Sequence, residues 1–130
     1  MPLVRIEILK GRSTEYKRAI LDGIHAAIVE AFRVPDEDRM QRIYELAPED
    51  FEYRKIYGDQ LTLIEITAFV GRSTAAKKAL YAAIVRNLGL APGIPKKDVV
   101  IFLREGPREN WGIRGGQSAA DVDLGFEVEV

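Results

Sequence analysis

The tetrapeptide Gly-Arg-Ser-Thr occurs at residues 11–14 and again at residues 71–74. The same offset aligns Leu3 with Leu63, Ile6 with Ile66, Lys17 with Lys77, Ala19 with Ala79, Ile24 with Ile84, Pro35 with Pro95, Asp38 with Asp98 and Glu45 with Glu105, without a gap. The chain is therefore a tandem duplication, and its fold must be assembled from two copies of one supersecondary unit. The copies part company at their first residue, where Pro2 opens the first and Thr62 the second.

Residues 2–9 alternate Leu3, Val4, Ile6 and Ile8 with Arg5, Glu7 and Lys10 following, a period-two pattern that predicts a strand. Gly11 ends it, and Ser13 or Thr14 is placed to cap a helix. Ile20, Ile24 and Ile28, with Ala27 and Ala31, form an apolar stripe at helical spacing that runs to about Phe32. Val34-Pro35 closes the helix, because proline disfavours helical geometry in the residue before it. A second strand is expected over residues 38–45. The second copy repeats the order, with strands over 61–70 and 99–103 around a helix over 74–88, which Gly89 is placed to end.

Parallel strands joined by a helical crossover lie side by side with the helix on one face. The expected fold is thus α/β (α+β), a tandem β-α-β repeat forming a four-stranded sheet with two helices on one face. Residues 1–130 form one domain in this reading, with units over about 2–45 and 62–105 and a C-terminal clasp over about 106–130. Residues 46–60 read as a long loop or short hairpin, and the alternating tail 125–130 as a strand or clasp. Leu3, Ile6, Leu63 and Ile66 distribute apolar side chains over both sheet faces, so the face without helices needs a cover, and further copies of the chain are the expected one.

Composition narrows the chemistry. Lys plus Arg number 19 against 20 Asp plus Glu, so the net charge of -1 provides no attraction for nucleic acid or an anionic membrane. With no cysteine, disulfides, thiolate metal sites and cysteine nucleophiles are excluded together. The single histidine, His25, has no partner for a metal pair and reads as a helix-surface or packing residue. Gly115-Gly116 lacks the strand-to-helix setting of a phosphate loop. No cofactor and no metal are expected. Arg5 and Glu7 interrupt the early apolar run, so neither a signal peptide nor a spanning helix is expected, and the expected location is cytoplasmic.

Pro2 carries the most specific chemistry. Removal of Met1 before a small residue would leave a secondary amine on a strand. An α-amino group titrates near about 8, and both desolvation and a neighbouring guanidinium disfavour its protonated form. Neutral, that amine is a general base; protonated, it is an acid or an electrostatic anchor.

Pro2-Leu3 ahead of a strand and Gly11-Arg12-Ser13, together with Asn110-Trp111-Gly112-Ile113-Arg114-Gly115-Gly116, resemble the tautomerase superfamily in its 4-oxalocrotonate tautomerase type. The fused length and the segment Phe32-Arg33-Val34-Pro35-Asp36-Glu37-Asp38-Arg39 are similar to its malonate semialdehyde decarboxylase branch. The resemblance implies that Pro2 is the catalytic amine, that Arg72 binds the substrate carboxylate, that Asp38 positions or activates water, and that Trp111 walls the pocket. Structural readings stand beside these roles. Asp38 has a repeat mate in Asp98 and Arg72 one in Arg12, so each pair also fits a shared backbone need. The decarboxylase branch carries a further arginine where this chain has Val70, and Arg114, where the tautomerase segment has none, either replaces that cation or pairs with a neighbouring subunit.

Three functions follow. The first is a 1,3-proton transfer on a small keto or enol carboxylate, with Pro2 as base and Arg72, Trp111 and Arg114 around the substrate. The second is a lyase or hydratase like malonate semialdehyde decarboxylase, in which protonated Pro2 polarises a carbonyl and Asp38 assists. The third is a non-catalytic binding or assembly module. The resemblance also implies a homotrimer.

Overall fold

The computed structural model describes residues 2–130. Met1 lies outside the described residues, and with it the expected loss of that residue. The element order is β1 (Leu3–Leu9), α1 (Thr14–Phe32), β2 (Gln41–Leu46), β3 (Thr62–Phe69), α2 (Thr74–Leu90) and β4 (Val99–Gly106), followed by a small hairpin of β5 (Gly112–Ile113) and β6 (Gln117–Ser118).

The four long strands form one mixed sheet in the order β2-β1-β3-β4. Within each unit the strands are parallel, β1 with β2 and β3 with β4, while β1 and β3 meet antiparallel at the centre. Alternation then sorts the side chains. Val4, Ile6, Ile8, Ile64 and Ile66 turn under the helices and are almost fully buried against Ile20, Ile24, Ala27, Ile28 and Phe32 of α1 and Leu80, Ala83, Ile84 and Leu88 of α2. Each such side chain contributes roughly 1.5–3 kcal/mol by leaving water. Asn87 on α2 donates to the Gly23 carbonyl of α1 at 2.9 Å. A Cβ on Gly23 would stand 3.1 Å from Leu88 Cδ2, so glycine sets how closely the helices approach.

The repeat also explains the helix starts and stops. Ser13 and Ser73 cap α1 and α2 with their side-chain oxygens, accepting from the backbone N–H of Tyr16 and Ala76 at 3.1 Å each. Lys17 reaches Glu45 at 2.9 Å, and its mate Lys77 reaches Glu105 at 2.6 Å, so one latch ties each helix to the end of its unit's last strand. α1 stops at Phe32, as expected. α2 does not stop at Gly89 but runs on to Leu90, and the turn comes where Ala91 adopts an extended backbone ahead of Pro92. Glycine permits a stop but does not impose one.

The second strand starts at Gln41 rather than at residue 38. Residues 35–38 form a turn in which the Asp38 N–H donates to the Pro35 carbonyl at 3.0 Å. Its mate turn, Asp98 to Pro95 at 2.9 Å, is the same. The 46–60 connection is no hairpin; it holds a short 3-10 turn, Pro48–Asp50, and irregular chain. The tail is a clasp and not a strand. Val128 is fully buried with Phe69 and Ala119, and the Val130 carbonyl accepts from the Ser73 N–H at 3.0 Å.

On the face opposite the helices the clasp covers only the Phe69 end. The remainder carries Arg5, Glu7, Glu65 and Arg104 beside exposed Tyr44, Val100 and Phe102. Among the described residues no helix is long and apolar enough to cross a membrane.

Candidate active site

Strand register gathers the chain's chemistry at one end of the sheet. Val4 lies opposite Gln41 and donates to the Met40 carbonyl at 3.1 Å, Leu3 lies opposite Thr67, and Phe69 lies opposite Gly106. The start of β1, the turn before β2, and the ends of β3 and β4 therefore share this edge. Pro2 stands buried immediately before β1, a position proline tolerates because it owes the ladder no N–H.

Arg72 is the most unusual residue of that edge. It precedes the N-cap of α2 and is only 6% exposed. Its Nη1 donates to the Phe69 carbonyl at 3.2 Å and its guanidinium lies over the Phe32 ring at 4.7 Å. Nε and Nη2, the edge of the fork that grips a carboxylate, are buried without a hydrogen-bond partner among the described residues. Burial pushes the Arg72 pKa down; Glu105 and Asp38 oppose that shift, and Arg108 adds to it. An arginine stays charged through such a shift. A buried cation, incompletely bonded and next to the positive end of a helix, is a costly arrangement that an arriving anion would relieve.

The repeat mates provide the internal control. Arg12 is half-buried, donates to the Asp59 carbonyl at 2.9 Å and lies over Tyr16. Asp98 is 1% exposed and accepts from the Gly58 N–H at 2.9 Å and from Lys97 at 3.0 Å. Thr62, in the place of Pro2, donates its hydroxyl to the Gln60 carbonyl at 2.9 Å. The 46–60 connection thus occupies Arg12 of the first copy and Asp98 and Thr62 of the second. In the first copy Asp38 is half-buried and its charge acts on Arg72.

Trp111 is half-buried and packs edge-to-face on Phe69 with centroids 4.8 Å apart. It lines two cavities with Leu3: one of ≈ 380 Å³ with Thr67, Arg104, Glu105, Gly106 and Asn110, and one of ≈ 360 Å³ with Met40, Gly112, Ile113 and Arg114. Asp38 and Arg114 line another, of ≈ 240 Å³, with Pro35, Glu37, Ile113, Leu124 and Phe126. Pro2 and Arg72 line none of these three. Arg114 is exposed, sits at φ 50 in the turn between β5 and β6, and donates to the Asp123 carbonyl at 2.8 Å. It ties the hairpin to the clasp.

The sequence reading overlooked Glu105, Arg108 and Phe32 as neighbours of Arg72. Glu105 was visible only as a repeat match, and Arg108, whose repeat position is Pro48, had no signal. His25 is a packing residue: it is 4% exposed, with Nε2 2.7 Å from the Asp36 carbonyl, joining α1 to the turn that carries Asp38.

Two β-α-β units sharing one sheet, with Arg12, Thr62 and Asp98 bonded to the 46–60 connection and Pro2, Asp38 and Arg72 at the opposite end, define a fused two-unit protein with a candidate site at that end. A tautomerase enzyme family profile matches residues 38–114 and a second matches residues 2–53. The chain is 32% identical over 123 residues to the probable tautomerase YusQ of Bacillus subtilis (strain 168), covering 91% of this chain and 97% of that relative. Over 51 residues it is 39% identical to the 2-hydroxymuconate tautomerase of Pseudomonas putida, covering 39% of this chain and 81% of the relative. Its fold superimposes on malonate semialdehyde decarboxylase with a TM-score of 0.82 at 26% identity, covering 89% of this chain and 93% of that one. A fused 4-OT described as a symmetric trimer gives 0.81 at 26%, covering 91% and 96%. The chain belongs to the tautomerase superfamily, in its fused form.

Proposed function

We propose that this enzyme moves a proton on a small keto or enol acid, with the secondary amine of Pro2, freed by removal of Met1, as the base. Arg72 holds the carboxylate, and Pro2 takes the enol proton and returns it to carbon two atoms away on the same face. Trp111 limits the access of water, and Arg114 shapes the outer wall. The observation that carries this reading is the pair of unpaired, buried Arg72 donors at the sheet end where Pro2 is buried. A guanidinium near that amine would favour its neutral form, the form a base requires.

Intact mass and turnover of an enolised aryl pyruvate or 2-hydroxydienoate test this. The expected result is a chain lacking Met1, active as the wild type and nearly inactive as Pro2→Ala. A retained Met1 or a fully active Pro2→Ala variant would overturn the reading.

A second reading, decarboxylation or hydration of a β-keto acid with Asp38 assisting, is favoured by the charge of Asp38 acting on Arg72 and by the likeness to malonate semialdehyde decarboxylase. Proton NMR of malonate semialdehyde with enzyme would then show acetaldehyde. Self-association as a trimer is supported by the uncovered face bearing Tyr44, Val100 and Phe102, and by the trimeric fused 4-OT. Light scattering should give a mass near three chains.

A further inference from the structure

The segment that carries Asp38 is tied to α1 by three side-chain donors. His25 Nε2 donates to the Asp36 carbonyl at 2.7 Å, with Asp36 Oδ1 3.3 Å away; Arg39 bonds the Asp22 carboxylate; and Gln41 Nε2 donates to the Leu21 carbonyl at 2.9 Å. A carbonyl only accepts, so Nε2 carries the ring proton. The residues interleaved with these ties wall the site. Pro35, Glu37 and Asp38 line the ≈ 240 Å³ cavity, and Met40 lines the ≈ 360 Å³ cavity with Leu3 and Trp111. The Met40 carbonyl also accepts from the Val4 N–H at 3.1 Å, two residues from Pro2.

The second copy cannot make these ties. The repeat places of the three donors hold Val85, Val99 and Ile101, aliphatic side chains with nothing to donate, and the place of Asp22 holds Ala82. There the ladder does the holding: Val99 pairs with Thr62, and Asp98 is fastened by the Gly58 N–H and by Lys97. The same register in the first copy sets Pro2 against Arg39, where proline has no N–H to give, and the pairing of β1 with β2 starts at Val4 with Gln41. The ties to α1 thus stand in for ladder bonds that a proline at position 2 forgoes.

We propose that His25 is a positioning residue of this site, fixing the Asp36 carbonyl and thereby the place of Asp38 in the cavity wall. Its ring is buried in α1 at 4% exposure, whereas Arg39 and Asp22 pair at the surface. The proposal rests on the reading of Asp38 as a residue that acts in the site, and Asp38→Asn tests that reading by itself.

The assays are turnover of a 2-hydroxydienoate and of malonate semialdehyde, and imidazole 15N NMR of the single histidine, which needs no substrate. The spectrum should show Nε2 protonated; a ring with no proton on Nε2 would overturn the proposal. His25→Val, which installs the residue of the second copy, should lower kcat at least about tenfold, since a misplacement of about 1 Å can cost roughly 10²-fold. KM should hold, because Arg72 and not Asp38 grips the carboxylate. His25→Gln, whose amide N–H can reach the place of Nε2, should keep most of kcat. Asp22→Ala, an exposed change that leaves the core untouched, should act in the same direction and more weakly. In the Asp38→Asn background His25→Val should bring no further loss. Full kcat in His25→Val, equal losses in His25→Val and His25→Gln, or losses that multiply in the double variant would overturn the assignment. If Asp38→Asn is impaired and His25→Val is not, the reading of Asp38 stands and the positioning role falls. If Asp38→Asn is fully active, both fall.

Discussion

Replacing Arg72 by methionine should leave the fold about as stable as before while abolishing carboxylate binding. The variant removes two buried donors that have no partner. At about 1–3 kcal/mol for each unmade bond, the relief is roughly 2–6 kcal/mol. Against this, it loses the Nη1 bond to the Phe69 carbonyl at 3.2 Å, about 1.5–3 kcal/mol for a charged donor, and the contact over Phe32 at 4.7 Å, about 1–2 kcal/mol. Methionine refills much of the space. Glu105 is not stranded, because Lys77 remains 2.6 Å away. The opposing contributions cancel to within about 1 kcal/mol, whereas removing one partner from a satisfied buried ion pair costs about 3–5 kcal/mol. Urea denaturation at fixed protein concentration, with the m-value checked for constancy, measures the difference. In the same variant, affinity for a monocarboxylate should fall by at least about a hundredfold, the worth of two charge-assisted bonds. A loss of stability above about 3 kcal/mol with carboxylate affinity retained would refute the argument and make Arg72 a structural residue.

The repeat mates should separate in the same way. Asp98→Ala strands the Gly58 N–H and should cost about 2 kcal/mol in denaturation while kcat/KM is unchanged, whereas Asp38→Asn should lower kcat/KM. The Glu45 carboxyl is held below its ordinary pKa first by its hydrogen bond to Lys17. Its stabilisation is therefore complete above the ordinary glutamate range and lost as pH falls through the depressed value, so wild type and Glu45→Gln should differ in midpoint at neutral pH and converge once the pH lies below that depressed value. Gly71 has φ +146, and a Cβ there would stand 3.0 Å from Val128 Cγ1. Gly71→Ala should loosen the clasp, seen as faster proteolysis in residues 125–130 before any change in the midpoint of the whole fold.

The duplication, the four long strands, both helices and their caps were legible from Gly-Arg-Ser-Thr and the apolar periods, because alternation and helical spacing are local properties that survive without tertiary information. Pro2 stood out where the two copies differ, Asp38, Arg72 and Trp111 were singled out by family resemblance, and their approach to a common edge needed the strand register. What the letters left open was which mate of each pair is internally satisfied. Arg12 and Arg72, or Asp38 and Asp98, are identical in type and in local setting. They differ because residues 46–60 fold back to supply the Asp59 carbonyl to Arg12 and the Gly58 N–H to Asp98, contacts made across 47 and 40 residues.

Arg108 shows the same limit, since its charge acts on Arg72 through the pairing of β3 with β4, which has no local signature. Sequence alone thus determined the repeated unit and its capped elements, through interactions spanning a few residues. Tertiary structure alone decided which half keeps a buried guanidinium with donors to spare, because a hydrogen bond is satisfied by whatever folds against it and not by its neighbours in the chain.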